Sequence, residues 1–65
     1  MNLNNECIEL LQKIKQLAVD HDTNVYRLSY AETKEDALSL DYEIEVINNK
    51  TAYHAYELSR LCFQD

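Results

Sequence analysis

Ala37-Leu38-Ser39-Leu40-Asp41-Tyr42-Glu43-Ile44-Glu45-Val46-Ile47 is the stretch on which the fold turns. Leu38, Leu40, Tyr42, Ile44 and Val46 alternate with Ser39, Asp41, Glu43 and Glu45. A period of two predicts a strand with one buried face and one wet face. At 100° per residue the same apolar positions scatter around the circle, which leaves a helix no face to bury. Working outward, Val25 to Ala31 reads as a second strand, with Tyr26, Leu28 and Tyr30 on one face and Arg27 and Ser29 on the other. A hairpin through Glu32-Thr33-Lys34-Glu35-Asp36 pairs Tyr26 with Tyr42, Leu28 with Leu40 and Tyr30 with Leu38 on the apolar side. The same register sets Arg27 against Asp41 and Ser29 against Ser39 on the wet side. The rival reading is a short helix from Lys34 to Leu40, because Thr33-x-x-Asp36 resembles a capping box.

On the N-terminal side, Leu3, Cys7, Leu10, Ile14, Leu17 and His21 form the stripe of an amphipathic helix over residues 3–21, widened by Leu11 and Ala18. Asn2 is its expected N-cap, and Ile8 and Val19 form a second, weaker apolar edge. Asp20 to Asn24 reads as the loop that ends it. On the C-terminal side, Asn48-Asn49 is expected to break the strand and cap a second helix over residues 50–63. Its seam is a run of small side chains, Ala52, Ala55, Ser59 and Cys62, and Tyr53, Glu57, Arg60 and Gln64 form its solvent stripe. The fold expected is α+β, in the order α-β-β-α within one small domain, residues 1–65. Two antiparallel helices pack on one face of a β-hairpin, Ala55 lies against Ile14, and Cys7 comes close to Cys62.

Composition narrows the function classes. A chain that is 46% hydrophobic and 28% charged is globular, not disordered. Its net charge of −6 repels nucleic-acid backbone and anionic membrane and attracts basic partners. Glycine and proline are both absent. Glycine-rich phosphate cradles, nucleophile elbows and dinucleotide fingerprints need glycine, so an enzyme is not expected and no cofactor is implied. The histidines and cysteines match no ligand spacing, so no metal site is expected. Asn49-Lys50-Thr51 has the N-glycosylation pattern, but the capping role is preferred. No secretory signal or membrane span is read, so the chain is expected to be cytoplasmic, with Cys7 and Cys62 as buried thiols and not as a disulfide.

The functional expectation follows from the carboxylates. Glu32, Glu35 and Asp36 in the loop, with Asp41, Glu43 and Glu45 along the strand, form an acidic partner-binding face. Carboxylates every second residue of a strand stand about 6.6–6.8 Å apart, close to phosphate spacing along one nucleic-acid strand. The chain is therefore read as an inhibitor or regulator that mimics nucleic acid before a basic protein partner, such as a nucleic-acid-binding protein. The alternative is a structural or assembly module, a homodimer whose acidic face only confers solubility. A homodimer is expected in either case, because two open strand edges and leftover apolar helix edges exceed what one chain covers.

Overall fold

The computed structural model describes residues 4–63, and these form a helical hairpin with no strand among them. Helix α1 runs Asn5–Ser29 and helix α2 runs Lys34–Cys62, joined by the short turn 30–33. At 1.5 Å per residue they are about 38 and 44 Å long, which gives a rod with extents of 49 × 14 × 12 Å. The α+β expectation is thus overturned. The stretch 37–47 is helix, the segment read as a partner strand is the last part of α1, and Asn48-Asn49 lies inside α2 without breaking it.

The physical reason is a longer repeat that the alternation concealed. Cys7, Leu10, Ile14, Leu17, His21, Asn24, Leu28 and Ala31 follow a 3-4 spacing, and each is buried or half-buried. Ala37, Leu40, Ile44, Ile47, Thr51, His54 and Leu58 continue the same spacing along α2, all half-buried. Spacings of three and four keep side chains on one helix face, so two such rows meet as the seam of an antiparallel pair. Leu40 and Ile44 satisfy the two-residue and the helical period at once. Leu38 and Tyr42 satisfy only the first, and they are exposed. With neither glycine nor proline in the chain, only Asn48-Asn49 opposes the helix there, at about 0.7 kcal/mol per residue relative to alanine. A seam running through Ile47 and Thr51 outweighs that cost.

The helix ends are set by local chemistry. The Asn4 side chain caps α1, accepting from the Cys7 amide at 2.9 Å; the Asn2 cap and Leu3 lie outside the described residues. Thr33 caps α2, its hydroxyl oxygen accepting from the Asp36 amide at 3.1 Å. The rival reading thus places the start of α2 correctly. Glu35 and Asp36 occupy the first turn of α2, where the helix dipole favours negative charge. The chain reverses without any positive φ among the described residues, closing α1 with three-residue bonds from the Tyr30 amide to the Arg27 carbonyl and from the Ala31 amide to the Leu28 carbonyl.

At the far end of the rod, Cys7 and Cys62 form a disulfide, with Cα atoms 6.1 Å apart and a sequence separation of 55. The expected proximity of the two cysteines is found, but as a bridge and not as free thiols. The small-residue seam is not found. Ala52, Ala55 and Ser59 are exposed, and the inward positions are Thr51, His54 and Leu58. Glu57, assigned to the solvent stripe, is half-buried and accepts or shares a hydrogen bond with His54 Nδ1 at 2.8 Å; Gln64 lies outside the described residues.

Three stability measurements check this architecture. Replacing both cysteines by serine removes a loop-closure constraint worth about 2–4 kcal/mol, read as a lower urea midpoint of the helical signal. Leu10→Ala costs about 2–3 kcal/mol because Leu10 is only 5% exposed. Ala55→Leu shifts stability by no more than about 0.5 kcal/mol, because it adds bulk on a solvated face.

Candidate functional site

The helix disperses the acidic row expected on a strand. Asp41 and Glu45, four residues apart, share one side of α2, while Glu43 sits about 200° around the axis from Asp41. Two residues of helix rise only about 3 Å, so the correspondence with phosphate spacing is lost. Glu32 lies in the turn, and Glu35 and Asp36 lie in the first turn of α2. All six carboxylates are exposed. Glu32 and Asp36 line one shallow groove at the turn with Arg27, Tyr30, Ser39 and Leu40. Glu43 lines a second, more apolar groove with Asn24, Tyr42, Val46 and Ile47. Asp41, Glu45 and Glu35 line neither. The structure therefore brings Glu32 and Asp36 together at one groove, with Glu43 at a second groove on the same flank, and no continuous acidic ribbon.

What remains of the acidic signal is its distribution along the rod. Between residues 20 and 45, Asp20, Asp22, Glu32, Glu35, Asp36, Asp41, Glu43 and Glu45 face only Arg27 and Lys34. That loop half carries the whole net charge of −6. In the rest of the sequence, Glu6, Glu9, Glu57 and Asp65 balance Lys13, Lys15, Lys50 and Arg60. The hairpin is thus strongly negative at its turn and, among the described residues, close to neutral at its bridged end.

Aromatic side chains mark the outside of the molecule. Tyr26 and Tyr30, one helical turn apart, approach at 4.9 Å between ring centroids near the turn. Both are about two-thirds exposed, as is Tyr42. On the outer side of α2, Tyr53, Tyr56 and Phe63 are exposed, and Tyr42 and the half-buried Val46 continue this stripe at the edge of the groove shared with Asn24. The Arg60 guanidinium stands 6.0 Å from the Tyr56 ring centroid. This outer stripe was hidden in the sequence because 37–47 was read at the wrong period; at helical spacing it is visible from residue numbers alone.

The polar groups nearest the seam serve the helix pair. Asn24, 8% exposed, is the buried polar residue on the seam, a position where asparagine fixes register at some cost in stability. Thr51 returns its hydroxyl to the Ile47 carbonyl at 2.9 Å, so the Asn49-Lys50-Thr51 pattern lies in continuous helix. Among the described residues, no group of three or more His, Cys, Asp or Glu side chains could hold a metal ion. No helix among them is long and apolar enough to cross a membrane. Comparison with protein-family models, with curated proteins and with solved structures gives no match to this chain.

Proposed function

We propose that this chain is a protein-interaction module that acts by binding and not by catalysis, and that its acidic loop half receives a basic protein partner. The observation that carries this reading is the confinement of the entire −6 charge to residues 20–45 of a rod that is otherwise neutral. Such a segregated field steers an oppositely charged partner to one end and speeds its encounter. Exposed Tyr26, Tyr30 and Tyr42 among these carboxylates add flat aromatic faces, which suit arginine and lysine side chains as well as apolar contact. The partner surface is therefore the turn and the adjoining flanks of both helices, with Glu32, Asp36 and Glu43 at its grooves and Glu35 in the first turn of α2 beside them, in place of the strand face first expected. The function as a regulator or inhibitor follows if that partner's basic surface is its own working site.

The setting follows from the bridge. The cytoplasmic location expected from the sequence went with reduced cysteines, whereas a disulfide across the open ends supports work under oxidising conditions.

Immobilised wild-type hairpin tests the reading against a variant carrying Glu32→Gln, Glu35→Gln, Asp36→Asn and Glu43→Gln, which keeps the helical signal because all four side chains are exposed. The expected result is a basic protein retained from cell extract by the wild type, released as salt rises from about 50 to 500 mM, and not retained by the variant. Equal capture by both proteins, or capture insensitive to salt, overturns it.

A further inference from the structure

Asn24 carries hydrogen-bonding capacity that the hairpin does not use. It is only 8% exposed, and among the described residues its side-chain amide makes no hydrogen bond to the protein. No unpaired side-chain nitrogen or oxygen among these residues is sealed from solvent. The amide therefore opens into the groove that Asn24 lines with Tyr42, Glu43, Val46 and Ile47. A polar group so deeply buried and still unpaired calls for a partner.

Helix α2 supplies the rest of this groove in two adjacent rows. Tyr42 and Val46 are one turn apart, as are Glu43 and Ile47, so each row rises about 6 Å. An exposed aromatic ring and an exposed carboxylate stand at one end, with two half-buried aliphatic side chains a turn further on. We propose that this groove seats one arginine side chain of the basic partner. Its guanidinium lies on the Tyr42 ring and donates to the Glu43 carboxylate and the Asn24 amide oxygen, while its aliphatic stem runs along Val46 and Ile47. This deepens the proposed function and rests on it.

Charge, shape and size each narrow the occupant. Among the residues lining the groove Glu43 alone is charged, and it lies in the half that carries the net charge of −6, so the complement is a cation. The groove at the turn already holds Arg27, which opposes a second cation there. A planar guanidinium stacks on an aromatic face and offers five donors, enough for a carboxylate and an amide oxygen together, whereas an ammonium is a strongly hydrated point charge. Its stem is apolar and matches the aliphatic rows. At about 290 Å³ the groove falls just under the range of small-molecule pockets, about 300–1,000 Å³, which suits one side chain better than a whole ligand.

The probe is the capped peptide Ala-Ala-Arg-Ala-Ala, titrated into the oxidised, isotope-labelled full chain at about 20 mM salt, where screening is weak. Nuclear magnetic resonance is expected to show saturable, millimolar binding, with shifts centred on the Asn24 side-chain amide, Tyr42, Val46 and Ile47. The lysine peptide is expected to bind about threefold more weakly or worse, and the neutral citrulline peptide to leave the Asn24 amide unmoved. Asn24→Leu and Tyr42→Ala are each expected to weaken the arginine peptide by about fivefold. Tyr42 is 67% exposed, so Tyr42→Ala keeps the helical signal even if Asn24→Leu does not. Lysine binding as tightly as arginine, shifts centred on the turn instead, or affinity indifferent to Tyr42→Ala each overturn the proposal. Loss of a basic protein by the four-carboxylate variant, with the Asn24 amide unmoved by arginine, removes this groove alone. Arginine bound here while no basic protein is retained removes the partner reading and leaves the groove's selectivity standing.

Discussion

Two helices packed side by side leave most of each helix in water, and the Cys7–Cys62 bridge answers that constraint. Among the described residues only Cys7, Leu10, Asn24 and Cys62 are buried, and two of these are the bridge itself. A seam of half-buried residues gives the pair direction and register but little dry volume. For so small a chain, a covalent tie that removes conformations from the unfolded state offsets what the thin core does not supply. The turn ties one end of the rod and the disulfide ties the other, so neither helix end can separate from its neighbour.

The two ties act on different surfaces. The turn, capped by Thr33, holds the acidic half together through a short covalent connection. Ile8 and Leu11 on one helix and Ala55 and Ser59 on the other are remote from that turn in sequence, and they stay on a common face because Cys7 and Cys62 are joined nearby. The composite apolar face therefore depends on the bridge in a way the acidic end does not. Asn24 lies between them as the buried polar side chain on the seam.

How much of this was legible depends on window length. The first helix was visible as far as His21, because Cys7, Leu10, Ile14 and Leu17 have no competing period. Its continuation through Asn24, Leu28 and Ala31 was masked by Asp20-His21-Asp22-Thr23-Asn24, a composition that favours turns when no tertiary contact opposes it. Over 37–47 both periods fit, since residues four apart belong to each, and the cross-strand pairing that seemed to support the hairpin used the same residues twice. Only a window reaching Thr51, His54 and Leu58 separates the readings. The absence of glycine and proline, used to exclude enzyme motifs, carried structural information as well: a chain without the two strongest helix breakers can run through its Asn and Asp clusters as helix. The small side chains Ala52, Ala55 and Ser59 were read as a seam for close helix approach, but they are exposed, and Thr51, His54 and Leu58 are the inward positions.

That misplacement bears on the physics of the whole molecule. A seam built from Thr51, His54 and Leu58 leaves Ala52, Ala55 and Ser59 outside, where helix propensity accounts for the two alanines but not for Ser59, a weaker helix former. On the acidic half the same flank of α2 carries Asp41 and Glu45. One flank of the helix thus changes at about its midpoint from negative to small and neutral, while Tyr53, Tyr56 and Phe63 remain exposed on its outer side and its inward seam continues unchanged. The inward pattern specifies the hairpin, and the change in the outward pattern separates two surfaces of different chemistry on a single rod. Because the bridged end is close to neutral and the turn is not, whatever binds the turn approaches without electrostatic interference from the bridged end beyond the Debye length of about 8 Å at physiological salt, against a rod of 49 Å.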